Sequence, residues 1–287
     1  MQKKKTEKKS SLEKFFISHK SYPRKHLGQN FMKDSHVLGR MAEIADLSKE
    51  DEVLEIGAGL GALTLFLGQK AGRVIAIEKD KRLIEKLKET VSHLKNVEIV
   101  PGDALRAEFR RFYGGKRIKV VANLPYSISS PILIKLLEER ELFSVLVLMI
   151  QREVGERIVA LPGSRTYGSL SIAIQTYMDV SIELLVPPEA FWPRPQVDSA
   201  VIKLVPLSTP RISIQDEQLF RSIVRAAFSS RRKVLRNSLS SLFPKHKSEQ
   251  ILESSEIDGK RRAETLSIEE FGRLSQEAFR IESLLPE

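Results

Sequence analysis

The tetrapeptide Asn123-Leu124-Pro125-Tyr126 combines an amide, a rigid turn and an aromatic ring in one short stretch. An Asn side chain donates and accepts hydrogen bonds without titrating, and proline stiffens the turn. The Tyr ring offers a π-face on which a planar ligand can stack. These residue types suit the recognition of a flat, amine-bearing ring such as a nucleobase. Alone, the motif is equally consistent with a strand-to-helix turn that packs a tyrosine.

Three further groups with nucleotide-binding character precede this tetrapeptide in the sequence. The stretch Glu55-x-Gly57-x-Gly59-x-Gly61 follows an apolar run, and glycine lets a backbone turn tightly against a ligand. Its spacing differs from Gly-x-Gly-x-x-Gly, and it has no P-loop lysine. Glu78 and Asp103 each follow a later apolar run, where carboxylates can accept hydrogen bonds from a ribose and from an adenine amine. Together these groups predict a nucleotide-type pocket.

The elements that must position these groups alternate between strands and helices. Short apolar runs predict strands over residues 53–56, 74–78, 97–100, 118–122, 145–150 and 197–205. Helical patterns between most of them favour an α/β fold with right-handed crossovers and a parallel sheet. Because the carboxyl ends of parallel strands share one edge, the glycine loop, Glu78, Asp103 and the tetrapeptide should line one crevice.

The strand pattern stops beyond Pro210, where helical periodicity takes over. We therefore predict a basic flexible N-terminal extension over 1–22, an α/β domain over 23–208 and a helical domain over 209–287. Within the α/β domain, we expect Ser130 to be the N-cap of a helix whose first residue is Pro131.

The composition limits the classes of function. The sequence has 47 Lys and Arg against 37 Asp and Glu, and the net charge of +10 favours a polyanionic partner such as nucleic acid. The absence of cysteine excludes a Cys nucleophile, a Cys–zinc site and an iron–sulfur cluster. The five histidines form no His-x-x-x-His pair, so we expect no metal site. No membrane span or signal peptide is visible, so we expect a cytoplasmic protein.

A basic cluster lies at the start of a predicted helix and comprises Arg231, Arg232, Lys233 and Arg236. Like charges repel, and a helix N-terminus disfavours cations, whereas a nearby phosphate backbone would offset both costs. The cluster therefore predicts RNA binding, and a solvated basic face is the alternative.

From about Arg24 to the C-terminal helices, the sequence resembles the ribosomal RNA small subunit adenine N(6)-dimethyltransferase family. The motifs that carry the resemblance are Gly28-Gln29-Asn30-Phe31, Glu55-Ile56-Gly57-Ala58-Gly59, Glu78, Asp103, Asn123-Leu124-Pro125-Tyr126, Phe191-x-Pro193-x-Pro195-x-Val197-Asp198-Ser199 and Arg231-Arg232-Lys233-x-Leu235-Arg236-Asn237. The resemblance implies a Rossmann-like S-adenosylmethionine-dependent methyltransferase sheet over 23–208 and a smaller, all-helical RNA-binding domain over 209–287. The implied cofactor is S-adenosyl-L-methionine, and the residues implied to contact it are Asn30, Met32, Gly57, Glu78, Asp103 and Asn123. Met32 stands where the family usually has Leu, a change of similar volume.

The implied reaction is dimethylation of the exocyclic amines of two adjacent adenines in small-subunit ribosomal RNA during ribosome biogenesis. Asn123 and the Leu124 carbonyl would orient the amine, while Tyr126 and Phe191 would stack on a base that leaves its helix or loop. For Tyr126 we expect the ring and not the hydroxyl to act, and for Phe191 a core aromatic is the alternative. The expected partner is the small ribosomal subunit precursor with its RNA, and we expect a monomer.

Two other functions stay open from the sequence. One is methylation of large-subunit RNA by the antibiotic-resistance branch of the same family, although Val197-Asp198-Ser199-Ala200 and residues 231–239 look more like the small-subunit branch. The other is a non-catalytic assembly or transcription factor on the same scaffold. The intact tetrapeptide and glycine loop argue against lost catalysis.

Overall fold

The computed structural model of the chain describes residues 16, 22–24, 27–230 and 232–283. The strands are β1 (Phe31–Met32), β2 (Glu52–Ile56), β3 (Arg73–Glu78), β4 (Val97–Pro101), β5 (Ile118–Asn123), β6 (Phe143–Gln151), β7 (Met178–Val186), β8 (Phe191–Trp192) and β9 (Ser199–Pro206). The helices are α1 (Ser35–Ile44), α2 (Ala62–Lys70), α3 (Lys81–Val91), α4 (Ser129–Glu138), α5 (Arg152–Ile158), α6 (Ser169–Gln175), α7 (Glu217–Ala227), α8 (Leu235–Leu239), α9 (Lys245–Ser254) and α10 (Ile268–Ser283).

The main sheet has seven strands in the order β4-β3-β2-β5-β6-β9-β7. The pairings from β4 to β6 are all parallel, and β9 runs antiparallel to β6. The strand order reverses between β2 and β5, and open α/β sheets form their ligand crevice at such a point. The predicted α/β class with a parallel sheet and a helical C-terminal region is confirmed.

The central strands are buried along most of their length, so their residues are apolar on both faces of the sheet. In one core cluster around the sheet, Val53 and Val121 of the strands pack with Met41 of α1 and Leu67 of α2. Burial of each such side chain contributes about 1.5–3 kcal/mol. The sheet is therefore a firm base for the loops at its edge.

The contacts within the chain divide it into two compact units. The first unit contains the described residues up to Arg152 together with Ile182–Leu204, and the second contains Glu153–Ser181 and the described residues from Val205 onward. The predicted boundary near residue 208 therefore missed that 153–181 belong with the C-terminal helices. The reason is non-local packing: the Tyr167 hydroxyl donates to the Leu266 carbonyl at 3.0 Å, and Tyr167 shares a core with Phe220 and Phe271.

The second unit is organised around α7 and α10. Asp216 caps α7 by accepting hydrogen bonds from the backbone of Gln218 and Leu219. In α10, Phe271 and Leu274 are fully buried, whereas Phe279 is 38% exposed. Within the described residues, no helix has both the length and the apolar character of a membrane span.

The predicted cap at Ser130 is wrong. A 3₁₀ turn, Tyr126–Ile128, leads directly into α4, which starts at Ser129. The Ser129 hydroxyl donates to the Pro125 carbonyl at 3.2 Å. The tetrapeptide therefore belongs to a tight turn that runs without a break into the helix.

Candidate active site

The loops that follow β2, β3, β4 and β5 line one cavity of about 290 Å³ in the first unit. This is the arrangement that parallel strands with a shared carboxyl edge predict. The sequence-predicted residues that line it are Asn30, Met32, Gly57, Glu78, Asp103, Asn123, Leu124 and Tyr126. Among the described residues, no group of three or more His, Asp or Glu side chains is arranged to hold a metal ion.

Gly57 begins the loop after β2 in a left-handed conformation, with φ +77°. Its N–H donates to the Ile77 carbonyl at 2.8 Å, and a Cβ at this position would lie 3.1 Å from the Pro125 ring. The glycine thereby lets two ligand loops, one after β2 and one after β5, approach each other closely.

Glu78 lies at the end of β3 and is 7% exposed. One carboxylate oxygen accepts the Gly59 N–H at 2.7 Å, and the other accepts the Asp80 N–H at 2.7 Å. Burial raises the pKa of Glu78 above its usual range, although these backbone donors oppose the shift. A carboxylate oxygen has a second lone pair, so Glu78 can still accept hydroxyl groups from a ligand.

Glu55 also lines the cavity, and the sequence analysis treated it only as part of the glycine motif. It is 2% exposed, and no group in the described part of the chain satisfies its Oε2 atom. Burial raises the pKa of Glu55 to about 8, and the negative charge of Glu78 adds to the shift. An unsatisfied buried acceptor is costly, and the raised pKa means that the carboxyl carries a proton at neutral pH, which lowers that cost.

Asp103 follows β4 and differs from the two glutamates. Its carboxylate accepts the Leu105 N–H at 3.0 Å and the Lys79 ammonium at 2.8 Å. The Lys79 contact holds the pKa of Asp103 below its usual range. Asp103 therefore stays ionised and offers acceptors at the third strand end.

Asn123 is the polar side chain of the cavity that lies at the end of β5. Its Nδ2 donates to the Asn30 carbonyl at 3.2 Å, which assigns Oδ1 as the acceptor atom of the amide. The backbone N–H of Leu124 donates to the Met149 carbonyl at 3.1 Å, and its side chain is buried. Leu124 can therefore serve a ligand only through its own carbonyl.

Tyr126 lines the cavity, and its side chain forms a hydrogen bond at the tip of the ring. Its hydroxyl and the Ser199 Oγ are 2.5 Å apart and share a hydrogen bond. Burial raises the pKa of the Tyr126 phenol. The sequence predicted a role for the ring and not for the hydroxyl, and the partner of the hydroxyl lies 73 positions further along the chain.

Gly28 positions the N-terminal loop against the tyrosine turn. Its φ is +65°, and a Cβ here would lie 2.7 Å from the Ser127 nitrogen and 3.0 Å from the Tyr126 nitrogen. The next residue, Gln29, donates to Asp80 at 3.0 Å. The loop thus bridges the first turn of α3 and the turn after β5.

Phe191 does not line the cavity. It is 1% exposed and packs in the main core, where the short strands β1 and β8 pair Met32 with Phe191. Its ring has no face open to a base in this arrangement, so the structure favours the core aromatic that was the alternative prediction. Phe191 supports the wall of the cavity through Met32.

The predicted N-terminal extension is only partly described, through Phe16 and 22–24. Phe16 is 1% exposed, and its ring centroid lies 5.2 Å from those of Phe31 and Trp192. The prediction of a flexible extension is therefore wrong at this residue, because an apolar ring is buried against the first unit. The Lys-rich stretch before it lies outside the described residues.

In the second unit, Arg232, Lys233 and Arg236 are exposed, whereas Arg231 lies outside the described residues. Backbone hydrogen bonds from Leu235 to the Arg261 carbonyl and from Arg236 to the Gly259 carbonyl join this segment to a second basic one. The exposed residues of the two segments, here called the basic patch, are Arg232, Lys233, Arg236, Lys260 and Arg262. The sequence analysis missed Lys260 and Arg262, although the run Lys260-Arg261-Arg262 was a visible signal.

Comparisons with known proteins agree on one family. The family model described as ribosomal RNA adenine dimethylase matches residues 20–279. The ribosomal RNA small subunit methyltransferase A of Geobacter metallireducens is 48% identical over 259 residues, with 88% of this chain and 94% of that protein covered. The crystal structure of a dimethyladenosine transferase from Plasmodium falciparum is similar with a TM-score of 0.76 and 30% identity, over 87% of this chain and 98% of that one. The 23S rRNA methyltransferase ErmE is similar with a TM-score of 0.66 and 27% identity, over 87% of this chain and 100% of that one.

Proposed function

Because this chain belongs to the ribosomal RNA adenine dimethylase family, we propose that it dimethylates the exocyclic amines of two adjacent adenines in small-subunit ribosomal RNA. The methyl donor in this proposal is S-adenosyl-L-methionine. A fold does not fix a function by itself, so the site must support the reaction. The supporting observation is the convergence of the glycine loop, Glu78, Asp103 and the Asn123–Tyr126 turn on one cavity.

The cavity offers what this cofactor needs. Glu78 has acceptors for ribose hydroxyls, and the ionised Asp103 has acceptors for an adenine amine. Asn30 and Met32 also line the cavity and are available to contact the cofactor. When bound, the cofactor supplies a methyl group on a positively charged sulfur, which is a strong electrophile.

The Asn123 turn orients the nucleophile. An adenine amine is a weak nucleophile because its lone pair is delocalised into the ring. Hydrogen bonds from the amine to Asn123 Oδ1 and to the Leu124 carbonyl would favour a pyramidal nitrogen whose lone pair faces the methyl group. The bond from Asn123 to the Asn30 carbonyl holds the amide in the required orientation. As the N–C bond formed, the bond from the methyl carbon to sulfur would break and leave its electron pair on sulfur. The amine proton would then be acidic and could pass to solvent without a strong general base.

The ring of Tyr126 provides the surface on which the extruded adenine stacks. Stacking on one aromatic side chain contributes about 1–3 kcal/mol per base. Phe191 is left out of this role because its ring is buried in the core. A base must leave its RNA helix or loop to reach such a pocket.

The basic patch and the net charge of +10 support RNA as the substrate. Its five exposed cations lie on two segments joined by backbone hydrogen bonds, which keeps them together on the second unit. We further propose that the partner is the small ribosomal subunit precursor, that the protein acts as a monomer and that it is cytoplasmic.

Methylation of large-subunit RNA is the second candidate, and the similarity to the 23S rRNA methyltransferase ErmE favours it. The 48% identity to a small-subunit methyltransferase supports the first candidate more strongly. A purely non-catalytic role would not need the complete set of cavity residues.

The test uses two substrates: small-subunit particles from a strain that lacks this dimethylation, and protein-free large-subunit RNA. Each is incubated with the purified protein and radiolabelled S-adenosyl-L-methionine. We expect label and primer-extension stops at two adjacent small-subunit adenines, and far less of both with the Asn123→Ala variant in the same incubation time. Label in protein-free large-subunit RNA instead would support the second candidate. An absence of label in both RNAs would contradict the proposed activity.

A further inference from the structure

Ser199 is fully buried at the start of β9 and does not line the cavity. Its hydroxyl nevertheless reaches the cavity indirectly, through the hydrogen bond of 2.5 Å to the Tyr126 hydroxyl. In the sheet, Ser199 pairs with Gln151 of β6, and Met149 of β6 pairs with Asn123. Ser199, a residue of the sheet, therefore holds the tip of the Tyr126 ring.

Ser199, which we call the anchor of the Tyr126 hydroxyl, lies in a more rigid segment than Tyr126 does. β9 pairs with β6 from Leu204 to Ser199, and the Arg152 N–H donates to the Asp198 carbonyl at 3.0 Å, which extends the pairing one residue further. Tyr126 instead lies on a 3₁₀ turn that has no fully buried residue. The turn fixes the backbone of Tyr126, but its ring has two torsions of its own. A bond at the tip fixes the first torsion directly, and it favours one value of the second because a phenol O–H prefers to lie in the plane of its ring.

We propose that Ser199 is a positioning residue for the target base: its hydroxyl holds the Tyr126 ring in the plane on which the extruded adenine stacks. The inference rests on the proposed function. It adds to the sequence-based expectation, in which only the ring of Tyr126 acts. A ring held in place before binding loses less conformational freedom when the base arrives, and the amine meets Asn123 in a more uniform geometry.

The first experiment measures single-turnover methylation of small-subunit particles by Ser199→Ala, Tyr126→Phe and the double variant. Each single substitution should lower the rate roughly two- to tenfold, as expected for one hydrogen bond. The double variant should be no slower than either single one, because both remove the same bond. The dissociation constants for cofactor and RNA should stay at the parent values, which separates positioning from a loss of structure.

Ser255→Ala is the matched control. Ser255 is 1% exposed, and its hydroxyl donates to the Ile251 carbonyl at 2.6 Å in the second unit. This variant removes an equally buried hydroxyl and should keep the parent rate, even if its melting temperature falls. A parent-like rate for Ser199→Ala, or losses that add in the double variant, would overturn the proposal.

The second experiment does not depend on activity. Protein labelled with 3-fluorotyrosine should show one narrow ¹⁹F line for Tyr126, identified by its absence from Tyr126→Phe. In Ser199→Ala this line should shift and broaden as the ring samples more than one orientation. An unchanged line would disprove the anchor, whereas a changed line in a protein that methylates neither RNA would place the failure in the proposed function.

Discussion

The cavity in the first unit and the basic patch in the second unit hold their charges in opposite ways. In the cavity, Glu55 and Glu78 are buried, and Glu78 is bonded to backbone N–H groups. In the patch, the cations are exposed, and within the described part of the chain no carboxylate forms a salt bridge with them. The first arrangement selects a ligand by position, and the second attracts a polyanion by charge.

The difference has an energetic origin. A buried carboxylate needs a specific donor, because an unsatisfied charge or acceptor out of water costs several kcal/mol. Exposed cations are screened by salt and act on phosphates through the release of counterions. Substitutions in the cavity should therefore change rate or cofactor affinity, whereas substitutions in the patch should change RNA affinity and its salt dependence.

Asn123→Ala should give the clearest separation between a loss of methylation rate and a loss of RNA affinity. Loss of a hydrogen bond that orients the reacting amine should lower the single-turnover rate on the order of a hundredfold or more. RNA affinity should hardly move, because phosphate contacts dominate it. Rapid-quench methylation and filter binding measure the two quantities. If the variant kept the full rate, the amine would be oriented by backbone groups alone, and the role assigned to Asn123 would be wrong.

Glu78→Gln should weaken cofactor binding about five- to a hundredfold, because the amide removes a charged acceptor beside the Gly59 and Asp80 N–H groups. Calorimetry with S-adenosyl-L-methionine measures the effect. Glu98→Gln is the control, because Glu98 lies exposed on β4, away from the cavity lining. Equal dissociation constants for Glu78→Gln and the parent would show that Glu78 does not contribute to cofactor binding.

Replacing Arg232 and Lys233 with Ala should weaken RNA binding and reduce the slope of log affinity against log salt by about 0.7–0.9 for each lost phosphate contact. Cofactor affinity should stay unchanged. Replacing the exposed residues Lys245 and Arg280 with Ala removes the same charge from the same unit and is the control. Identical slopes for both double variants would show that the patch merely faces solvent.

Gly28→Ala and Gly115→Ala form a pair that tests the packing of the N-terminal loop. Both glycines have positive φ, so each substitution should carry a backbone strain of about 1–2 kcal/mol, to which Gly28→Ala adds a steric clash. Only at Gly28 does the new Cβ meet the backbone of Tyr126 and Ser127, whereas nothing lies within 4 Å at Gly115. Methylation should therefore slow several-fold in Gly28→Ala alone. Equal rates for the two variants would show that the loop adjusts without moving the tyrosine turn.

A separate effect should be a pH dependence of stability at Glu55. Its pKa rises from 4.5 in the unfolded chain to about 8 in the folded protein, so the folded state keeps a proton that the unfolded state releases. The free energy of unfolding should therefore fall as pH rises from about 4.5 to about 8. Glu55→Gln should lack this contribution, so its melting temperature should gain on the parent across that range. A parallel course for the two, as expected for the exposed Glu253→Gln, would contradict the raised pKa.

The shared edge of the sheet was predictable because its signals are local. Each ligand group follows its own apolar run, and the alternation of strands and helices is enough to bring Glu78, Asp103 and Asn123 to one side. The family resemblance agrees with this local pattern. By contrast, the membership of 153–181 in the second unit depends on the packing of Tyr167 against distant helices, which no periodicity reveals.

The sequence by itself determined the fold class, the strands that carry the cavity residues and the chemical types of those residues. Only the tertiary structure decided the order of the strands in the sheet, that Phe191 is buried in the core, that Glu55 has an unsatisfied buried oxygen and that the hydroxyls of Ser199 and Tyr126 share a hydrogen bond. The physical reason is the range of the interactions. Strand and loop patterns follow from neighbouring residues, whereas burial and side-chain hydrogen bonds depend on which distant segments meet.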